Sequence, residues 1–349
     1  MKILYFTKYS RKGASSRLRS YQYFPFLEKE GVEVVVKPLF DDVYLDNLYA
    51  NKKKSITHII FCYMKRFFFL FTVVKYNKLV IEKELFPYFP AFFEKLLYLF
   101  KVKYIVDFDD AIFHNYDLSR HKFIQLFLKK KIDHVMKYSS CVIAGNSYLA
   151  NRAKKSGAKK VEIIPTVIDI SRYEVLNKTP TANVIIGWIG SPSTFKYIKA
   201  IKPVLQKITE KHNVIIHIIG AKENLNLGKN IRYIKWTETS EVSEIQKFDI
   251  GIMPLENTPW ELGKCSYKLI QYMGCGIPVV ASPVGMNVEV VKDGWNGFLA
   301  KDIEDWYSSL ENLIKNKTLK ITLGGNGREL VLNKFTVQKA YFQYKELIF

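Results

Sequence analysis

Short apolar runs alternate with longer amphipathic stretches along this chain, and that alternation restricts its fold more than any other feature. Runs so short, rich in β-branched and aromatic residues, read as buried strands, and the stretches between them read as helices. Strand, helix and strand in repetition build βαβ units, and hence parallel sheets covered on both faces. In the first half the strand candidates are 2–6, 32–36, 79–81, 104–108, 141–144 and 161–164. Helices are expected at 16–30, 55–75, 90–100, 119–138 and 146–156, the last opened by Asn146 and Ser147 as caps.

A second series starts near Asn183, with strands at 183–189, 214–220, 231–234, 249–253, 278–281 and 297–300. Helices follow at 194–211, 240–248, 265–274, 302–316 and 328–334, and a last amphipathic stretch covers 337–349. A length of 349 residues suits two domains. The reading is α/β: two doubly wound, Rossmann-like domains, 1–170 and 171–334, with the polar segment 171–183 as linker and helix 335–349 packing back on the first. Ligands in such folds bind at the carboxyl ends of the strands, here facing a cleft between two sheets.

The formal charge of +20 is uneven: residues 1–165 hold 30 Lys+Arg against 15 Asp+Glu. An excess confined to one half points to an anionic partner there. Nucleic acid fits poorly, because no recognition motif or basic run with interleaved aromatics is present. Cys62, Cys141, Cys265 and Cys275 form no CxxC pair, as expected of free thiols in a reducing compartment. The N-terminus lacks the pattern of a signal peptide. The apolar stretch 59–74 is split by Lys65 and Arg66 into pieces well short of the ~20 residues that span a bilayer. Segments 63–78 and 86–103 and the basic cluster Lys129–Lys131 mix aromatics with cations, a pattern suited to an anionic membrane surface.

Segment 248–300 holds the densest set of site candidates. A helix starting near Gly263 would carry Lys264, Lys268 and Gln271 at i, i+4 and i+7, on one face near an N-terminus that already favours anions. A solvated lysine face is the competing reading. The loop Gly190-Ser191-Pro192-Ser193-Thr194 follows a strand and precedes a helix, so it is either a phosphate cradle or a plain turn. Trp236 follows the strand at 231–234, where a core or surface aromatic is one reading. In the first half, Ser15, Ser16, Arg17 and Arg19 sit between strand and helix, where the serines can cap and the arginines can meet phosphate. Asp107, Asp109 and Asp110 crowd the end of the strand at 104–108, with His114 just beyond. Such clustered carboxylates need partners, which marks them as functional candidates. Asp107 and Asp109 also form a D-x-D pair that would suit Mg²⁺ or Mn²⁺ on a diphosphate.

The order of these motifs resembles glycosyltransferase family 4, across essentially the whole chain and most strongly in 248–300. Supporting stretches are 14–34, DFDDAIF (107–113), AGNSYLA (144–150), IPTVID (164–169) and IGWIGSPST (186–194). The resemblance implies the GT-B fold and transfer of a sugar from a UDP- or GDP-sugar with retained configuration, without metal or other cofactor. By the same resemblance the diphosphate lies against the Gly190 loop and the base near Trp236. Lys264 and Lys268 stabilise the leaving group, and Asp109 and Asp110 take part on the catalytic side. Many members carry two glutamates separated by seven residues; this chain has Gly263 and Gln271 at those positions, in a branch reading G-K-x-x-x-K-x-x-Q-Y-M. Gln271 is then expected to meet a ribose hydroxyl, and Glu261 or backbone N–H groups near Lys264 the donor sugar. Ser15, Ser16, Arg17, Arg19 and His114 fall on the phosphate or acceptor side. The expected acceptor is a lipid-linked or cell-surface glycan precursor, and the expected place is cytoplasmic, peripheral on the inner face of the membrane. The alternative from another class is a non-catalytic membrane-associated or nucleotide-binding scaffold.

Overall fold

The computed structural model describes every residue except Asn51, Lys54, 178–182 and Lys222, so part of the expected linker 171–183 lies outside the described residues. The chain forms two compact units. The first comprises Met1–Thr166, Gly263–Cys265 and Ala340–Phe349; the second comprises Val167–Leu262 and Ser266–Lys339. The main division thus falls at Thr166/Val167, a few residues before the 170/171 break read from the sequence.

In the first unit a parallel sheet runs in the order β2-β1-β3-β4-β5-β6. Its strands are β1 (Lys2–Phe6), β2 (Glu33–Val36), β3 (Lys78–Glu82), β4 (Tyr104–Phe108), β5 (Cys141–Ala144) and β6 (Val161–Ile163). Helices α1 (Ala14–Arg19) and α2 (Phe24–Lys29) join β1 to β2, and α3 (Asp42–Tyr49) and α4 (Ile56–Leu70) join β2 to β3. Then α5 (Phe92–Leu99) precedes β4, and α6 (His114–Asp117), α7 (Lys122–Leu128) and α8 (Lys131–Tyr138) precede β5. Last, α9 (Ser147–Lys155) connects β5 to β6; the Asn146 carboxamide caps it, accepting from the N–H of Leu149 at 2.9 Å. Central strands are apolar without alternation because both faces are covered: Ile3, Leu4, Tyr5, Phe6, Val106 and Phe108 are all fully buried.

The second unit repeats the plan in the order β12-β11-β10-β7-β8-β9, also parallel. Its strands are β7 (Val184–Ile189), β8 (Val214–Ile219), β9 (Ile231–Ile234), β10 (Ile250–Met253), β11 (Val279–Ala281) and β12 (Gly297–Leu299). Helices α10 (Phe195–Ala200) and α11 (Lys202–Lys211) follow β7, and α12 (Glu241–Ile245) follows β9. After β10 come α13 (Pro259–Leu262) and α14 (Tyr267–Gly274), and after β11 comes α15 (Asn287–Val290). Beyond β12 lie α16 (Ile303–Lys315) and α17 (Lys317–Lys334); in α18 (Val337–Ile348), which follows, the residues from Ala340 belong to the first unit. Trp188, Phe195, Ile216, Ile252, Trp306 and Leu310 belong to one apolar core.

Several helical expectations change: 16–30 is split into α1 and α2, and 194–211 into α10 and α11. Residues 324–327 (GGNG) argue for a break before 328, yet α17 runs unbroken through them. A Cβ on Gly324 would lie 2.1 Å from the Gly276 carbonyl oxygen, so the glycine permits close packing on the strand–helix junction below. The expected helix 119–138 is two helices, α7 and α8, and Lys131 at the start of α8 points inward.

In each sheet the strand order reverses once, between β1 and β3 and between β7 and β10. The crevice outside the carboxyl ends at such a reversal is where doubly wound sheets take ligands. Both sets of candidate residues collect there.

Candidate functional site

In the first unit, the turn after β1 and the ends of β3 and β4 build a buried charge network. Glu82 closes β3, and its carboxylate accepts from the Lys8 backbone N–H (3.0 Å), Ser15 Oγ (3.1 Å) and Ser16 Oγ (2.5 Å). Ser15 Oγ also lies 2.6 Å from Asp109 Oδ2, so its single proton is shared between the two carboxylates. Lys83 Nζ sits 2.8 Å from Asp109 and 3.9 Å from Asp110. Burial works against the Asp109 charge, but Lys83 and Ser15 outweigh it and hold the carboxyl below its ordinary value. Burial and the neighbouring Asp109 push Asp110 the other way. The serines therefore organise carboxylates; they do not cap α1, whose N-cap is Gly13 with no side-chain capping bond.

Arg19 and Asp107 correct the sequence reading. Their side chains are 2% and 5% exposed and joined by two hydrogen bonds, Nε to Oδ2 at 2.9 Å and Nη2 to Oδ1 at 2.5 Å. Arg19 Nη1 donates to the Ile164 carbonyl at 2.8 Å. The guanidinium is thereby committed inside the unit and does not meet phosphate. With Asp107 held by Arg19 and Asp109 by Lys83, the D-x-D carboxylates are not gathered as a ligand pair. Arg17 is buried too, at 7% exposed. His114, at the start of α6, lies 2.7 Å from Asp117 Oδ1 through Nδ1 and 2.9 Å from the Tyr148 hydroxyl through Nε2. Arg152 Nη1 stands 3.0 Å from Asp117 Oδ2, which fixes that carboxylate behind the imidazole.

The segment Gly263–Cys265 also groups with this unit. A Cβ on Gly263 would fall 2.7 Å from the Ala111 backbone nitrogen, so no larger residue fits where the resemblance leads one to expect glutamate. Asn146 Nδ2 donates to the Lys264 carbonyl at 3.0 Å, and Cys265 Sγ lies 3.0 Å from the Asp109 carbonyl oxygen. Lys264 is not on the expected helix. Ser266 takes a left-handed conformation (φ 48°), and α14 begins only at Tyr267. Lys268 and Gln271 remain on α14; Lys264 precedes it.

In the second unit, Gly190, Gly220 and Trp236 meet beyond the carboxyl ends of β7, β8 and β9. A Cβ on Gly220 (φ 88°) would lie 2.4 Å from the Gly190 carbonyl oxygen and 3.4 Å from Trp236 Cβ. Ser191 and Ser193 are exposed, their hydroxyls 2.9 Å apart. Lys268 Nζ lies 4.8 Å from the centre of the buried Trp188 ring, within cation–π range.

Gln271 is only 2% exposed and donates through Nε2 to the Tyr173 hydroxyl (2.9 Å) and to Glu241 Oε1 (2.7 Å). Both amide hydrogens are spent inside the unit, so toward a ribose hydroxyl this side chain offers only its carbonyl oxygen. Trp236 Nε1 donates to the other oxygen of Glu241 at 2.6 Å. Glu241 is the residue that sequence reasoning missed. It is 8% exposed, with one N–H on each oxygen and, among the described residues, no cation within ion-pair distance. A carboxylate has about four lone-pair sites, so acceptor capacity remains. Glu261 is 2% exposed and accepts from the hydroxyls of Tyr197 and Thr258. Burial opposes its charge, but those hydrogen bonds prevail and lower its pKa. Each of its oxygens thus receives one hydroxyl inside the unit.

The first unit also exposes an apolar surface. Ile60, Phe61, Met64 and Phe68 project from α4 with Phe71 at its C-terminal cap, Phe92 and Leu99 from α5 with Phe100 at its cap, and Phe123, Leu126 and Phe127 from α7. Lys65, Lys75, Lys95, Lys101, Lys129 and Lys130 are exposed on the same segments. Lys131 is not among them: buried, it pairs with Glu84 and donates to the Phe86 carbonyl at 2.6 Å. No described helix is long and apolar enough to cross a membrane.

Residues 184–316 match the family described as "Glycosyl transferases group 1". An uncharacterized glycosyltransferase of Methanocaldococcus jannaschii is 27% identical over 268 residues, 70% of this chain and 64% of that protein. The capsular polysaccharide biosynthesis glycosyltransferase CapM of Staphylococcus aureus is 27% identical over 173 residues, 47% of this chain and 46% of CapM. The chain therefore aligns with less than two thirds of either relative. Among solved structures, sucrose-phosphate synthase from Thermosynechococcus elongatus superposes with a TM-score of 0.74 at 13% identity, covering 100% of this chain and 98% of that one. Anabaena HepE in complex with UDP gives 0.70 at 16% identity, covering 100% and 99%. With two parallel-sheet, Rossmann-like units, the chain has the GT-B fold.

Proposed function

We propose that this chain is a glycosyltransferase that moves a sugar from a nucleoside-diphosphate sugar to an acceptor hydroxyl with retention of configuration. The observation that carries the reading is the match of residues 184–316 to glycosyl transferases. That segment contains the Gly190 loop, Trp236, Glu241, Lys268 and Gln271, gathered by the second unit's own fold. The complex of the structurally similar HepE with UDP supports a nucleotide donor of the UDP or GDP kind.

On this reading the nucleoside lies by Trp236, and Glu241, oriented by the indole N–H and by Gln271, accepts from the ribose hydroxyls. The diphosphate takes backbone N–H groups of the Gly190–Thr194 loop. As the glycosidic bond breaks, charge gathers on the leaving diphosphate. Lys264, Lys268 and the N-terminus of α14 stabilise it, most strongly in the transition state. Cationic side chains do there what a metal would do, so transfer needs no divalent ion. On the first unit, His114 backed by Asp117, with Asp109 and Asp110, serves the acceptor. That acceptor is a lipid-linked or cell-surface glycan precursor, reached from the cytoplasmic face of a membrane. The exposed aromatics of α4, α5 and α7 enter the headgroup layer, while the lysines beside them meet anionic lipid.

Mass spectrometry of donor hydrolysis across UDP-, GDP- and dTDP-sugars tests the activity. Turnover of one ribonucleotide sugar is expected. Nucleotide binding without turnover of any donor, with or without acceptor lipid, would leave a nucleotide-binding scaffold in its place.

A further inference from the structure

Three donor atoms of different chemistry converge between the loop after β2 and the first turns of α4. Asp41 caps α3, its Oδ1 accepting from the Tyr44 N–H at 3.0 Å. His58 and Cys62 stand four residues apart on α4, so both project from one face. His58 Nε2 lies 2.9 Å from Asp41 Oδ1 and 3.7 Å from Cys62 Sγ. All three ligand atoms lie within 4.8 Å of one another.

Hydrogen bonding alone accounts poorly for this convergence. One ring nitrogen either donates its single proton or accepts one, so Nε2 cannot serve the carboxylate and the thiol together. Two groups aimed at one nitrogen are instead arranged as ligands around a shared ion. In a tetrahedral zinc site, bonds of about 2.0–2.3 Å put ligand atoms roughly 3.3–3.8 Å apart. The His58–Cys62 separation of 3.7 Å falls in that range and the His58–Asp41 separation of 2.9 Å just below it, so small side-chain movements would seat an ion.

We propose that Asp41, His58 and Cys62 form a binding site for a zinc-like transition metal ion, with its fourth position open to water. Thiolate and imidazole together select such an ion over Mg²⁺ or Ca²⁺, which prefer oxygen. Cys62 is 4% exposed and clusters with Leu39 and Phe40, with Tyr9, Tyr44, Ile59 and Tyr63 packed around them. This apolar shell limits solvent access, and the Tyr44 N–H orients the Asp41 carboxylate, as outer groups do in metal sites. Binding displaces the thiol proton to solvent and ties the β2–α3 loop to α4. The ion is a staple in the first unit and has no part in the donor chemistry, so the proposal stands whether or not the chain transfers sugars.

Cobalt(II) titration of the full-length protein, first stripped with chelator, tests it. One bound equivalent should give a thiolate-to-cobalt charge-transfer absorption that zinc abolishes, and zinc should raise the melting temperature. C62S should remove the charge-transfer band. H58Q should weaken cobalt binding by on the order of 100-fold or more, since losing even an outer-shell partner costs about 10–100-fold. C275S, at a distant buried cysteine, should keep both. Folded wild-type protein without the band, or a band that survives in C62S or H58Q at wild-type affinity, would overturn the proposal. Should C62S fail to fold, H58Q decides alone, because His58 is partly exposed and its replacement empties no core.

Discussion

Replacing Glu241 by glutamine exchanges one carboxylate oxygen for an NH₂ group and leaves the side chain's shape intact. In the native arrangement each oxygen receives one N–H, from Trp236 at 2.6 Å and from Gln271 at 2.7 Å. An amide at position 241 can accept only one of them, so its own NH₂ must face the other donor. A buried polar group left without a partner costs about 1–3 kcal/mol. For a folding unit of 150–250 residues, each kcal/mol moves the melting temperature by about 2–4 °C. E241Q should therefore melt roughly 2–12 °C lower, read by calorimetry. The double variant E241Q/Q271E restores the complementarity: the new amide donates to the new carboxylate and keeps its oxygen for Trp236. It should recover at least half of the loss, as a coupling energy of about 1 kcal/mol or more in a double-mutant cycle.

The same substitution probes nucleotide recognition. A hydrogen bond to a charged group is worth about 1.5–3 kcal/mol, or about 10- to 100-fold in affinity. Calorimetric titration should show wild-type protein preferring UDP, or GDP if that is the donor, over its 2′-deoxy analogue by about that factor, and E241Q losing the preference. A wild-type melting temperature in E241Q, with no recovery in the double variant, would show that the Trp236–Glu241–Gln271 bonds do not hold the site together. An unchanged ribose preference in E241Q would show that Glu241 does not read the sugar.

Lys264→Ala or Lys268→Ala should cost about 2–4 kcal/mol of transition-state stabilisation, seen as a fall in kcat with the productive donor; wild-type turnover in both would refute the leaving-group role. EDTA should leave the turnover of folded enzyme intact, and loss restored by Mn²⁺ would return the chemistry to Asp107 and Asp109. His217 on β8 is 4% exposed, and neither ring nitrogen has a partner among the described residues; burial, with Arg232 nearby, lowers its pKa below 6.5. The unfolded chain then binds the extra proton more readily, so stability falls as pH drops below about 6.5, and H217L should flatten that slope in denaturant titrations between pH 5.5 and 7.5. Flotation should show binding to anionic but not neutral vesicles, weakened by salt and by neutralising Lys129 and Lys130; no binding to any anionic lipid at low salt would leave a soluble acceptor.

All twelve strands lie where alternation of apolar runs and amphipathic stretches places them, because the central strands of a parallel sheet covered on both faces are apolar over most of their length. Helix boundaries were less legible. Gly324 and Gly327 look like breakers in one dimension, yet they let α17 approach α14 closely. Lys131 looks like its neighbours Lys129 and Lys130, and only the fold reveals that Glu84 is brought against it. Likewise Arg19 is indistinguishable in sequence from an arginine waiting for phosphate. The buried Asp107, 88 residues away, gives it a partner.

The candidate site follows the same logic. Backbone-determined features, such as the Gly190 turn after β7 and the strand end bearing Asp109, were visible because local conformation fixes them. What could not be read was which polar side chains spend their hydrogen bonds on each other. Gln271 stands at a motif position and invites a ligand role, but Tyr173 and Glu241 take both of its amide hydrogens. Glu241 carries no motif and lies 30 residues away from it. The one available clue was the pair Trp236 and Glu241, five residues apart across a strand-to-helix turn. A buried carboxylate with no cation is expensive, and the indole and amide N–H groups that hold it compensate only in part. On the proposed function, that remaining acceptor capacity is what would draw a nucleoside's hydroxyls to Glu241.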